Sequence, residues 1–261
     1  MPIKSNLPGL EPRREKFKQE IQLLSGGYTD RKAFPNGMIT VYPWDNSVDE
    51  WFRERLRKGS GEGVVWDLVT VIANMNGAEY TKMVIGDVYT IILVSRSIRY
   101  QNEVVYTSRC PNCRHTSKET VKVPDELAKI GVKPPEYPGF DMITLPVTGD
   151  VVKIRPLLVE DEMLIHSYSD QHRAVMTDRV ARLLLPIMEV GGGKPDGKEE
   201  TLTWYNALPP KDADFLESQQ ELLFPHLETR MDHVCDRCDQ TFSHDLNFDV
   251  NFFRAGGRTG S

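Results

Sequence analysis

The stretch Val104-Val105-Tyr106-Thr107-Ser108-Arg109-Cys110-Pro111-Asn112-Cys113 decides how the rest of the chain is read. It opens with strand character and closes on a Cys-x-x-Cys turn. Strand character resumes over 116–123, so the turn falls at the tip of a hairpin. A second stretch repeats the design, with β-like residues over 229–248 around Cys235-Asp236-Arg237-Cys238. A Cys-x-x-Cys turn sets two sulfurs about 3.5–4 Å apart, one edge of the tetrahedron in which zinc binds thiolates. Two such turns, using every cysteine of the chain, predict one structural zinc ion per chain on Cys110, Cys113, Cys235 and Cys238. Arg109, Arg114 and Arg237 stand beside the turns and would offset part of the thiolate charge.

More than a hundred residues separate the two pairs, whereas a continuous ribbon keeps them about 15–20 apart. The metal would therefore close a large loop and fasten the C-terminal hairpin to the middle of the chain, as a discontinuous zinc ribbon. Binding free energy of that kind, about 10–16 kcal/mol in small peptides, is folding free energy. Other chemistries fit less well. A redox pair needs a thiolate at a helix N-terminus, and neither segment after the turns looks helical. A catalytic zinc keeps one position open and commonly uses His or carboxylate ligands. His115, His233 and His244 flank the cysteines, but four thiolates leave them as bystanders. Four free thiols are the bland alternative.

Composition sets the outer bounds. The 261 residues are 39% hydrophobic and 27% charged, enough for one large domain or two smaller ones. A net charge of -6 and the lack of a long Lys/Arg run disfavour nucleic acid, which needs a concentrated basic patch. Asp232, Asp236, Asp239 and Asp245 around the second turn would repel a phosphate backbone. The N-terminus lacks the apolar core of a secretory signal. The apolar run 83–94 is interrupted by Asp87 and too short to cross a bilayer. The expectation is a soluble chain made in the cytoplasm, with no membrane partner, where paired cysteines favour metal over disulfides.

The fold class expected is α+β, with helical regions and short β-hairpins around the ribbon. Residues 1–33 read as an N-terminal helix or arm, its helix at about 11–24 with Phe17, Ile21 and Leu24 on one stripe. Residues 34–103 read as a hairpin plus apolar helices. Within them Ile39 and Val41 alternate as in a strand, and Ser47 to Glu50 has capping-box spacing before a helix that stops by Gly59. The apolar segments 64–75 and 80–100 read as helices. Residues 104–131 and 228–253 make the ribbon. Residues 132–227 read as a hairpin plus helical insertion: an extended Pro-rich connection over 132–138, a hairpin over 143–155 and an acidic helix start at Glu160-Asp161-Glu162. An amphipathic helix over 174–188 follows, then a loop over 191–197 and a helix from Pro210 to Leu223. Residues 254–261 read as a flexible tail.

Two turn-strand-proline-acidic units echo each other. Pro35, Gly37, Ile39, Val41, Pro43 and Asp49-Glu50 have counterparts in Pro146, Gly149, Val152, Ile154, Pro156 and Asp161-Glu162. Signatures of catalysis are weaker. Gly191-Gly192-Gly193-Lys194 lacks the spaced first glycine of a phosphate loop, and Pro195 stands where Ser or Thr would hold magnesium. His166 and His172 lie off the i, i+4 spacing of a helical metal pair, and no serine elbow is found. The sequence makes no positive case for an enzyme.

The order of these motifs resembles a known family. Cys110-Pro111-Asn112-Cys113, Ile154-Arg155-Pro156-Leu157 with Asp161-Glu162, Cys235-Asp236-Arg237-Cys238 and Phe252-Phe253 follow the order seen in baseplate hub proteins of T-even-type contractile-tailed bacteriophages. Some members are described as hub assembly chaperones. The resemblance spans roughly residues 34–253, and Tyr42-Pro43-Trp44 departs from the Arg-Pro of the second unit. It implies a non-enzymatic virion protein of the tail baseplate, present in several copies and binding other baseplate or tail proteins. An assembly chaperone absent from the finished particle and a zinc-ribbon nucleic-acid module are the alternatives.

Overall fold

A computed structural model describes residues 15–58, 63–73, 75, 79–100 and 102–246. Residues 11–14 of the expected first helix and the expected tail 254–261 lie outside them. The chain is a mixed helix and strand fold with short antiparallel sheets. Strand β1 (Gln19–Gln22) pairs antiparallel with β2 (Met38–Val41), Ile21 opposite Ile39. This corrects the helix expected up to residue 24. Three apolar residues at helical spacing are a weak signal, and β2 offers a hydrogen-bonded partner that also draws Leu23 and Leu24 into the core, 1% and 3% exposed. The pairing also crosses the boundary expected between 33 and 34.

After Pro43 comes α1 (Asn46–Arg57). Its cap is Asp45, whose carboxylate accepts from the amides of Ser47 at 2.9 Å and Val48 at 3.1 Å. The capping box expected at Ser47 and Glu50 is thus displaced, because the carboxylate two residues earlier already takes the free amides. Helices α2 (Gly63–Ile72) and α3 (Ile85–Tyr100) form the apolar centre as expected. Val88, Ile91, Ile92 and Leu93 of α3 are fully buried. Such side chains each contribute roughly 1.5–3 kcal/mol by leaving water.

The first Cys-x-x-Cys hairpin follows, β3 (Glu103–Arg109) against β4 (Thr116–Lys122) in unbroken register. Then come β5 (Lys129–Ile130), and β6 (Asp141–Thr144) paired with β7 (Val151–Ile154) around the expected turn at Gly149. Helix α4 (Val159–His166) starts at the acidic triplet as expected.

The single helix expected over 174–188 is instead α5 (Asp170–Val175), α6 (Asp178–Leu184) and β8 (Ile187–Val190). Thr177 breaks it, since its hydroxyl accepts from the amide of Val180 and restarts the helix. Pro186 then ends α6, and β8 joins β7 to make the three-stranded sheet. Helix α7 (Lys198–Asn206) follows Gly197 without a side-chain cap, so its start left little trace in the sequence. Helix α8 (Pro210–Leu223) begins at the expected proline. Strand β9 (His226–Leu227) pairs with β5, and β10 (Arg230–Val234) pairs with β11 (Thr241–Asp245) as the second Cys-x-x-Cys hairpin.

Two main cores result. The larger joins β1, β2, α1 to α3 and the ribbon hairpins. A smaller one holds Ile143, Val152, Ile154, Leu183, Leu184 and Leu216 under the three-stranded sheet. Gly86 marks where the two halves meet. A Cβ there would stand 1.8 Å from the carbonyl oxygen of Pro225, so only glycine lets the Pro225–Leu227 backbone lie on α3.

Candidate metal centre

The two hairpin tips meet. Sγ of Cys110 lies 3.7 Å from Sγ of Cys238, and Sγ of Cys113 lies 3.5 Å from Sγ of Cys235. All four sulfurs fall within 4.8 Å of one another. The pairing of the two tips closes a loop over a sequence separation of 122 residues. Cys110 and Cys235 are buried, both 2% exposed, while Cys113 and Cys238 are partly exposed.

The local reason is the same at both turns. The amide of Cys110 donates to the carbonyl of His115 at 2.9 Å, and the amide of Arg114 to the carbonyl of Cys110 at 3.0 Å. At the other tip Cys235 donates to Gln240 at 3.0 Å, and Asp239 to Cys235 at 2.9 Å. Arg114 and Asp239, each directly after the second cysteine, both turn left-handed, with φ of 59° and 56°. Those reversals aim the two sulfurs of each turn to one side. The two tips thus share one turn geometry, and their four sulfurs meet.

Donors reach the sulfurs from amides: the backbone of His115 onto Cys113, that of Gln240 onto Cys238, and Nδ2 of Asn112 at 3.6 Å from Cys238. The Gln240 amide is the main cause that draws Cys238 down to about 7. At Cys113 the His115 amide favours the thiolate, but desolvation and the three neighbouring sulfurs outweigh it and push that thiol up to about 12. The protons belong to the cluster as a set. Four sulfurs this close cannot all be thiolates unless a cation stands among them, and donor type, number and spacing fit one metal ion.

Beneath the sulfurs lies a polar contact between the hairpins. Nδ1 of His233 is 2.8 Å from Oε2 of Glu119, and the Tyr106 hydroxyl is 3.1 Å from Nε2 of His233. Ser108 donates to the other oxygen of Glu119 at 3.2 Å. The ring of His244 stacks on Tyr106. His233 and His244 therefore stand outside the sulfur cluster, yet His233 binds the two hairpins together. The strand character of 104–107 was legible in the sequence, but nothing local marked Tyr106 as inward-facing or Glu119 as its partner.

The triplet Glu160-Asp161-Glu162 is also placed. Arg155 grips Asp161 with both terminal nitrogens, at 2.6 and 2.8 Å, and the same carboxylate accepts from the amide of Leu158 at 2.9 Å. Arg182 grips Glu162 at 2.6 and 2.8 Å. Lys82 pairs with Glu160. The triplet has more to do than face a helix dipole: it fastens α4 to β7, to α6 and to the turn before α3.

Comparison with protein-family models, with curated proteins and with solved structures finds no match. Fold and site together define the class: a mixed helix and strand chain with a four-cysteine cluster able to hold a metal ion. Among the described residues no helix is long and apolar enough to cross a membrane.

Proposed function

We propose that this chain is a structural component of a contractile-tail bacteriophage baseplate, in the hub region, acting by binding other tail proteins. In this reading the four cysteines hold one structural zinc ion. A tetrahedron with zinc–sulfur bonds of about 2.3 Å has edges of about 3.8 Å, close to the 3.5 and 3.7 Å contacts between the tips. The convergence of two distant Cys-x-x-Cys hairpins on one point is the observation that carries the reading. It supports a metal used to fix shape: four sulfur donors fill a tetrahedron and leave no open position for a substrate. The order of motifs along the chain supports the baseplate assignment. Exposed Asp232, Asp236, Asp239 and Asp245 around the second tip weigh against a nucleic-acid surface.

Mass spectrometry of purified phage particles from the source of this sequence tests the assignment. The chain is expected among the tail proteins in several copies per particle. Its presence in infected cells but not in particles would move the reading to an assembly chaperone, and its absence from both would overturn it.

A further inference from the structure

A groove of about 660 Å³ runs between α3, α6, α8 and the Pro225–Leu227 segment. Val84, Ile85, Leu93, Leu183, Phe224 and Leu227 give it an apolar lining, and Arg179, Glu217 and Glu221 add charge. It lies where the smaller core meets the larger, and α3 and Leu227 belong to the latter. Leu246, the first residue after β11, is part of the wall. Its amide donates to the carbonyl of Thr229 at 3.0 Å, and only 7% of it is exposed. The described chain thus ends in the wall of an apolar groove, and fifteen residues of sequence, 247–261, follow it.

Those residues match the groove in pattern. Asn247-Phe248-Asp249-Val250-Asn251-Phe252 alternates, with Phe248, Val250 and Phe252 at one parity and Asp249 and Asn251 at the other, before Phe253 and Arg254 close the run. An extended segment of six residues reaches about 20 Å, enough to follow the groove from its Leu246 end. Arg254 would then arrive at a rim that carries Glu217 and Glu221, and Glu221 has no ion pair among the described residues. We propose that the groove is the docking site of the chain's own segment 247–254, with Phe248 and Phe252 seated on its apolar lining and Arg254 facing Glu221. A groove filled in this way clamps the helical insertion to the rest of the chain through its C-terminus. The proposal stands apart from the baseplate reading.

Hydrogen exchange read by mass spectrometry on the full chain, over residues 84–93 and 217–227, tests it. Replacing Phe248 and Phe252 by Asp is expected to speed exchange in both segments at least tenfold, while the sulfur cluster keeps its metal. Glu221→Arg alone, an exposed change that leaves the core untouched, is expected to speed exchange over 217–227, and Arg254→Glu added to it to restore protection. Equal exchange in all of these chains would overturn the proposal. So would protection that appears only at concentrations where sedimentation shows a dimer, since the segment would then occupy a second copy's groove.

Discussion

The hydroxyl of Tyr106 lies 3.1 Å from Nε2 of His233, 127 residues further along the chain. Nδ1 of the same ring lies 2.8 Å from Oε2 of Glu119, so His233 meets both strands of the first hairpin. This contact joins the two hairpins without using the sulfur cluster. Tyr106→Phe is expected to cost about 1–2 kcal/mol, because it leaves a buried ring nitrogen without its partner. Chemical denaturation of the metal-loaded and metal-stripped chains checks it. The loss should be larger in the stripped chain, where the contact has no sulfur cluster beside it to hold the tips together.

Metal content of the wild type and of Cys113→Ser with Cys235→Ser is the next measurement. One zinc per chain is expected in the wild type and none in the variant, whose circular dichroism should show the hairpins lost or loosened. Zinc-free wild type that keeps its full stability would remove the structural role. Thiolate ligation also sets a direction with pH: protons compete for the sulfurs, so acid should release the ion.

Gly86 is committed to the carbonyl of Pro225. Gly86→Ala, elsewhere in a helix a stabilising change, should here cost about 3 kcal/mol or more, because a Cβ at 1.8 Å from backbone oxygen forces the two segments apart. Urea midpoints for the two chains decide it. A neutral or stabilising effect would mean that the Pro225–Leu227 segment does not pack on α3 as described.

Asp87 of α3 is 1% exposed and accepts from the amide of Ser25 at 3.0 Å and from its hydroxyl. Desolvation is the main cause that raises its carboxyl from 3.8 to about 6, against the opposing hydrogen bonds. Between about pH 4 and 6 the folded chain thus holds a proton that the unfolded chain releases. Its favourable contribution is complete below about pH 4 and is lost as pH rises through about 6. The interval corresponds to about 3 kcal/mol. Asp87→Asn keeps an acceptor for Ser25 and should flatten this part of the profile. The difference between the two chains' denaturation midpoints, followed from pH 4 to 7, should therefore grow with pH in favour of the variant.

Arg155 and Asp161 are 21% and 7% exposed at their side chains. Arg155→Met strands a buried carboxylate and should cost about 3–5 kcal/mol. Adding Asp161→Asn removes the stranded charge while keeping an acceptor for Leu158, and should recover most of the loss. A double-mutant cycle that finds the two changes additive would show that the pair does not act as a unit.

Much of this was legible because it is local. The Cys-x-x-Cys turns, the strand character leading into Cys110, the turn at Gly149 and the Pro210 helix start each depend on residues within a few positions of one another. The departures came from distance. Gln19–Gln22 became a strand because Met38–Val41 was there to pair with it. The span 174–188 broke because Thr177 offered a cap and β7 offered an edge. No spacing rule could connect Glu119 to His233, or Asp87 to Ser25, since each pair meets only after the chain has collapsed.

By itself, then, the sequence determined the two Cys-x-x-Cys turns, the apolar helices and the prolines and caps that begin or end elements, because backbone sterics and short-range hydrogen bonds act within a few residues. The tertiary structure decided which edges pair, which carboxylates are gripped by arginine, and why position 86 must lack a side chain. Those choices depend on what lies across the interior, where desolvation and packing outweigh local preference.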